Sequence, residues 1–241
     1  MPKYRFFLLD ADNTIFDFDA AERQAWFKAM RYCGLPSDDG MYASYHDINA
    51  SLWKELEKGN ISKDALVIER HRRTLERYGI DADAARLNSV YMPFLAECAL
   101  PLPGAVDFLR RLRETADERI RESGSGGIYI ITNGVERTQK KRLSDSEVKN
   151  YVDGMFISEA IGFPKPDRRY FDSVFASIDG FESPAAVIVG DSLSSDIKGG
   201  KNAGVDTVWF DLYRKGLPDD PPAIPDYTAV SFDGIFDLIS V

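Results

Sequence analysis

The chain predicts an α/β fold, a parallel sheet interrupted after its first strand by a helical insert. Three observations carry that expectation. An apolar run beginning at Tyr4 and reaching Leu9 ends abruptly in Asp10-Ala11-Asp12-Asn13-Thr14, as suits a strand buried on both faces. From about residue 16 to 100 the sequence is polar and helix-rich, with no convincing strand. After Pro101-Leu102-Pro103-Gly104, apolar runs alternate with helical stretches, the pattern of βαβ units with right-handed crossovers.

Taken in order, the first strand covers about residues 4–9. Asp19-Ala20-Ala21-Glu22 has the form of a capping box, and the helix it would open runs on to Gly34 as a C-cap. Ser62 is placed to cap another helix that continues toward Gly79. Arg70-His71-Arg72-Arg73 reads as a solvated face of that helix. Beyond Gly104, Val106, Leu109 and Leu112 form an apolar stripe at helical spacing. Glu114 to Gly127 reads as a surface elaboration that ends in a Gly/Ser loop and could alter an oligomer contact. Ile128–Ile131 is a strand ending at Thr132-Asn133-Gly134, Met155–Ile157 a weaker one, and Ala186–Val189 a strong one ending at Gly190-Asp191-Ser192. Asp206–Phe210 follows a glycine-containing helix that ends near Gly204.

Bulk properties narrow the function. At 241 residues the chain can build one large domain or two modest ones. A net charge of −9 argues against a nucleic-acid polymer as the main partner, though not against a small phosphorylated ligand met by a metal ion and one lysine. No apolar run approaches the roughly 20 residues that span a bilayer, and no signal-peptide pattern opens the chain, so a cytoplasmic protein without membrane attachment is expected. Cys33 and Cys98 form neither a disulfide framework nor a metal-spacing motif, and His46 and His71 are too few for a zinc site or a triad.

The chemistry gathers at the strand ends. In a parallel sheet, Asp10 and Asp12, Thr132 and Asn133, and Asp191 all open on the carboxyl edge, where ligands bind. Lys165, in the proline-stiffened Phe163-Pro164-Lys165-Pro166-Asp167, lies between the second and third of these clusters in sequence. Asp10 and Asp191 offer hard oxygens to Mg²⁺. An aspartate can also attack phosphorus and form an aspartyl-phosphate. Thr132, with backbone N–H groups at Asn133 and Gly134, can bind phosphate oxygens. Lys165 can bind the equatorial phosphate oxygens through its positive charge and screen the carboxylates from the incoming dianion, and Asp12 is close enough to protonate a leaving oxygen and later deprotonate water. Phosphate-monoester hydrolysis needs accelerations of up to ~10²¹-fold, so covalent, metal, electrostatic and acid–base contributions are all called for. Singly, Asp12 could be a turn residue and Thr14 a helix cap; Asp17 and Asp19 read as hinge residues.

These motifs resemble, in order, the four of the haloacid dehalogenase superfamily: Asp10-Ala11-Asp12-Asn13-Thr14, Thr132, Lys165, and Gly190-Asp191-Ser192-Leu193-Ser194-Ser195-Asp196. The resemblance covers the whole chain. It implies a Rossmann-like core from residues 1–15 and 101–241, and a C1-type helical cap from residues 16–100. It also implies a Mg²⁺ cofactor and a phosphoaspartate mechanism. By motif position Asp10 is the nucleophile and a metal ligand, and Asp12 is the acid/base, giving its main-chain carbonyl to the metal. Asp191 is a metal ligand, and Asp196 is a ligand or lies just behind one. Within the insert, Ile48–Trp53 and Leu56–Ile61 are similar to the pyrimidine 5′-nucleotidase and N-acylneuraminate-9-phosphatase branch. Asn49 and Trp53 could therefore line a substrate pocket. The expectation is a phosphatase of nucleoside 5′-monophosphates, acting on a small phosphorylated metabolite. Sugar-phosphate phosphatase, N-acylneuraminate-9-phosphatase and phosphomutase are the alternatives that share the chemistry. A haloacid dehalogenase is disfavoured by Asp12, and a silent phospholigand-binding protein by retention of the nucleophile and metal ligand.

Overall fold

The computed structural model describes residues 4–240; the ends of the expected core segments, residues 1–3 and 241, lie outside them. Strand β1 (Phe6–Asp10) is followed by helices α1 (Phe18–Tyr32), α2 (Asp39–Glu57), α3 (Lys63–Arg77) and α4 (Ala84–Glu97). Then come α5 (Ala105–Ser123), β2 (Gly127–Thr132), α6 (Glu136–Asp145), β3 (Gly154–Ile157), α7 (Ser158–Ile161) and α8 (Arg168–Ala176). The chain continues through β4 (Ala186–Gly190), α9 (Lys198–Ala203), β5 (Asp206–Phe210), β6 (Tyr227–Ala229) and α10 (Phe232–Ile239). Contacts divide it into two compact units, one of residues 1–17 and 100–241, the other of residues 18–99. Among the described residues, no helix is long and apolar enough to cross a membrane.

In the first unit the strands form one parallel sheet, ordered β3-β2-β1-β4-β5-β6. β1 lies between β2 and β4, with Leu8 level with Tyr129 on one side and Ile188 on the other. The chain therefore winds outward in both directions from β1, and the crevice beside it is the topological switch point. Both faces of the sheet are covered. Phe7 and Leu9 join Phe108, Leu109 and Leu112 of α5 on one face, and Phe6 and Leu8 join Tyr170, Phe171 and Val174 of α8 on the other. The alternation within a wholly apolar strand thus feeds two cores at once.

Three sequence readings change here. Glu114–Ser123, read as a surface elaboration, is the second half of α5, which ends at Gly124 (φ 81°), so the expected Gly/Ser loop begins only there. Its inner face carries Ala116 and a buried Arg119, which donates to the main-chain oxygens of Tyr4 and Ile239. An arginine in place of the next apolar residue hides that stripe in the sequence. The pair β6 and α10 was not expected at all. β6 is a three-residue edge strand beyond a proline-rich connection, and α10 is fixed by packing, with Phe232 5.2 Å from Phe108 and 5.1 Å from Phe210. Third, Arg70 and His71 are not solvated. Both are buried in the second unit, whereas Arg72 and Arg73 do face solvent and pair with Glu69.

The second unit is built from α1–α4 around Trp26, Tyr45, Leu75, Leu87, Tyr91 and Leu95. Asp38, Ser62 and Asp83 cap α2, α3 and α4 through their side-chain oxygens. Asp19 is not the N-cap of α1, because the helix begins at Phe18, two residues before the start at Ala20 that such a cap would give, and Asp19 lies inside its first turn. Glu22, with no exposed side-chain surface, instead faces inward. It accepts from Asn49 Nδ2 at 2.6 Å and Tyr42 Oη at 3.1 Å, and lies 2.7 Å from His46 Nδ1.

Candidate active site

β1 delivers Asp10 to the carboxyl edge of the sheet, flanked by the ends of β2 and β4. Its Oδ1 accepts from Lys165 Nζ at 2.6 Å. The same ammonium donates to Asp196 Oδ1 at 2.6 Å and to the Ile131 carbonyl at 3.1 Å, so its three hydrogens are matched by three acceptors. Lys165 is held by its own backbone: Asn133 Oδ1 accepts from its N–H at 2.8 Å, and Asn133 Nδ2 donates to its carbonyl at 2.9 Å. The Asn133 side chain therefore fixes the lysine loop.

Asp191 and Asp196 come from the turn after β4. Thr14 Oγ1 accepts from the Asp191 N–H at 3.1 Å, and Trp209 Nε1 donates to the Asp191 carbonyl at 2.8 Å. The peptide groups flanking the Asp191 side chain are thus clamped from the turn after β1 and from β5. Thr14 is a tie across strands, not a helix cap. Asp196 lies in a π-turn, Leu193–Ile197, and its Oδ2 accepts from the Ser192 N–H at 3.1 Å. A Cβ on Gly190 would lie 2.3 Å from the Asp196 carboxyl carbon, so the close approach requires glycine there.

Asp10, Asp191 and Asp196 each bring an oxygen within 4.8 Å of the others. Three carboxylates thus face one ammonium. Burial, reinforced by the charges of Asp196 and Asp12 and opposed by Lys165, pushes Asp10 up to about 7. Burial, then the charges of Asp10 and Asp196, pushes Asp191 well above the usual carboxylate range. Burial opposes the Lys165 charge, but Asp10 and Asp196 more than offset it and hold the ammonium firmly protonated. An all-oxygen set with surplus negative charge suits a hard divalent cation of the Mg²⁺ type.

Asp12 points elsewhere. Its Oδ2 accepts from Gln139 Nε2 at 2.6 Å, and its Oδ1 from the Arg142 guanidinium. Gln139 Nε2 also reaches Thr132 Oγ1 at 3.3 Å, which in turn accepts from the Gly134 N–H at 3.0 Å. Gln139 and Arg142 escaped sequence reading because α6 is charged throughout. The available signal was their spacing of three, which with Thr138 marks the one buried face of that helix.

The two residues proposed from the insert belong to the other compact unit, residues 18–99. Asn49 is buried, giving its amide to Glu22 and receiving from Arg70 Nη1 at 3.4 Å, so both ends of its side chain are engaged within the helical unit. Trp53 is half-buried against Leu52, Leu56 and Leu66.

Residues 4–204 match the haloacid dehalogenase-like hydrolases. The HAD-hydrolase YfnB of Bacillus subtilis is 37% identical over 241 residues, covering 100% of this chain and 97% of its own. Its crystal structure, bound to magnesium, superposes with a TM-score of 0.89 at 36% identity over 99% of this chain and 100% of that one. The pyrimidine 5′-nucleotidase PynA of Streptococcus pneumoniae is 34% identical over 98% of this chain and 95% of its own. The pyrimidine 5′-nucleotidase YjjG of Escherichia coli is 30% identical over 98% of each.

Proposed function

The chain belongs to the haloacid dehalogenase-like hydrolases, and on that premise we propose that it is a Mg²⁺-dependent phosphomonoesterase that releases phosphate from pyrimidine nucleoside 5′-monophosphates. The observation that carries this reading is the surplus of carboxylate over ammonium among Asp10, Asp191, Asp196 and Lys165 at the switch point of the sheet. The substrate class is supported by the kinship with PynA and YjjG. In this reading residues 16–100 form a C1-type cap, residues 1–15 and 101–241 the catalytic core, and the enzyme works in the cytoplasm on a small phosphorylated metabolite.

Asp10, Asp191 and the main-chain carbonyl of Asp12 would hold the cation, with Asp196 as a further ligand or just behind one. The cation would neutralise the surplus charge and draw the phosphate oxygens toward Asp10. The Asp10 carboxylate then attacks phosphorus in line, and the ester oxygen leaves as the alcohol with a proton from the Asp12 carboxyl. Thr132 Oγ1 and the main-chain N–H of Asn133 hold phosphoryl oxygens, and the Lys165 ammonium draws them by charge while favouring the ionised form of Asp10. In the second half, Asp12 takes a proton from water, the water oxygen attacks the aspartyl-phosphate, and inorganic phosphate leaves with Asp10 restored. The deciding experiment measures phosphate release from pyrimidine and purine 5′-monophosphates, sugar phosphates and N-acylneuraminate 9-phosphate, with Mg²⁺ and with EDTA. Preference for pyrimidine nucleotides, lost in Asp10→Asn and in EDTA, is the expected result. Preference for a sugar phosphate would remove the nucleotidase assignment and keep the chemistry.

A further inference from the structure

We propose that Gln139 and Arg142 are positioning residues, a fork on α6 that aims the Asp12 carboxyl; this rests on the acid/base role proposed for Asp12. Each carboxyl oxygen is engaged separately. Gln139 Nε2 donates to Oδ2 at 2.6 Å, and the Arg142 guanidinium donates to Oδ1. The two donors are braced against each other, since Arg142 Nη1 also reaches Gln139 Oε1 at 3.2 Å. Both side chains are buried, and the guanidinium lies over the Phe16 ring, 4.8 Å from its centroid. One contact would fix the position of a carboxyl group but leave it free to rotate; two contacts from one rigid helical turn fix its plane as well.

Three features show that this arrangement is built for the site and is more than a fold contact. Gln139 joins Asp12 to Thr132, so one amide sets the relative placement of a proton-transfer group and a phosphate-binding hydroxyl. Room for that amide exists only because residue 134 is glycine: a Cβ there would lie 2.2 Å from Gln139 Nε2. The buried charge of Arg142 also has its carboxylate partner in Asp12, a residue whose own side chain keeps 26% exposure toward solvent. A carboxylate offers about four lone-pair sites. The fork takes one on each oxygen, and the others remain for the proton that Asp12 hands to the leaving alcohol.

The test compares kcat/KM for two substrate types, because kcat/KM reports steps up to departure of the leaving group. An alkyl phosphate such as a nucleoside 5′-monophosphate needs a proton on the departing oxygen, and 4-nitrophenyl phosphate does not. Gln139→Met, which keeps the shape and loses the donor, is expected to lower kcat/KM on the nucleotide by about 10²-fold. Its loss on 4-nitrophenyl phosphate is expected to be several-fold smaller. Arg142→Lys, which keeps the charge and loses the planar fork, is expected to show the same selectivity, and Gln139→Glu, which loses the amide donor and adds a like charge, a deeper one. Asp12→Asn separates the two claims. If it too is selective while Gln139→Met and Arg142→Lys depress both substrates equally, or neither, the positioning role is wrong and the acid/base role stands. If Asp12→Asn shows no selectivity, the acid/base reading itself falls. A melting temperature within a few degrees of the parent protein identifies variants whose kinetics can be compared.

Discussion

Two of the buried charged clusters differ in balance. At the sheet edge, Asp10, Asp191 and Asp196 crowd around the single ammonium of Lys165, and two of the three carboxyls are driven upward. In the helical unit, Glu22 meets His46 directly and Arg70 through Asn49, while Arg70 also bonds Asn88 Oδ1 at 3.2 Å and covers the Tyr91 ring. Burial is comparable, yet only one cluster is left electrically incomplete. A fold gains nothing from unmatched like charges. The imbalance is therefore the feature on which the proposed cation site rests, whereas the balanced network needs no external charge.

The sharpest way to break this contrast is to neutralise one member of each cluster. Asp10→Asn is expected to reduce turnover by about 10⁴-fold or more, as loss of a covalent nucleophile does, with no fall in melting temperature. Glu22→Ala should do the reverse, removing about 3 kcal/mol of stability because Asn49 and Tyr42 lose a buried acceptor. A fall in melting temperature for Asp10→Asn as large as that for Glu22→Ala would erase the distinction.

A smaller effect sharpens it. Saturating Mg²⁺ at 100 times its dissociation constant is expected to stabilise the protein by about 2.7 kcal/mol, and Asp191→Asn should remove most of that gain. Because Asp10 is raised to about 7 without a cation, protons compete with metal below that pH. Stabilisation by Mg²⁺ should accordingly be larger at pH 8 than at pH 6, read from thermal melts with and without the ion.

The smallest expected effect lies in the helical unit. The hydrogen bond to Glu22 raises His46 above its ordinary 6.5, against a desolvation that lowers it. A histidine raised by folding stabilises most below its unfolded value and loses that contribution as pH rises through the folded one. With 41% of the imidazole exposed, the gain is screened and amounts to about 0.5 kcal/mol. Melting temperature should fall slightly between pH 6 and pH 8.5, and His46→Gln should flatten that slope.

What was legible in the sequence follows the same division. Asp10, Asp12, Thr132 and Asp191 announce themselves because a polar group following an apolar strand has a fixed address, the carboxyl edge, and Lys165 is singled out by the prolines on either side of it. Once the strands pair in parallel, their convergence follows. Gln139 and Arg142 lie on a helix whose charged residues all look alike until packing selects a face. Burial of Arg70 and His71 is hidden for the same reason, since a run of basic residues reads as solvated unless a partner such as Asn49 is known. The extension of α5 and the docking of α10 depend on contacts between chain ends more than 100 residues apart, as with Arg119 and Ile239, and no local pattern encodes them.

The clamp on Asp191 has a practical use. Of the three tryptophans, Trp26 and Trp53 belong to the helical unit and Trp209 alone to the sheet. Its indole N–H is tied at 2.8 Å to the carbonyl of Asp191. With Trp26 and Trp53 changed to phenylalanine, tryptophan emission would come from one fluorophore wired by a hydrogen bond to the acidic loop. Under the proposed function, cation binding at Asp191 would be read in that emission in a stopped-flow cell, without any dye or label.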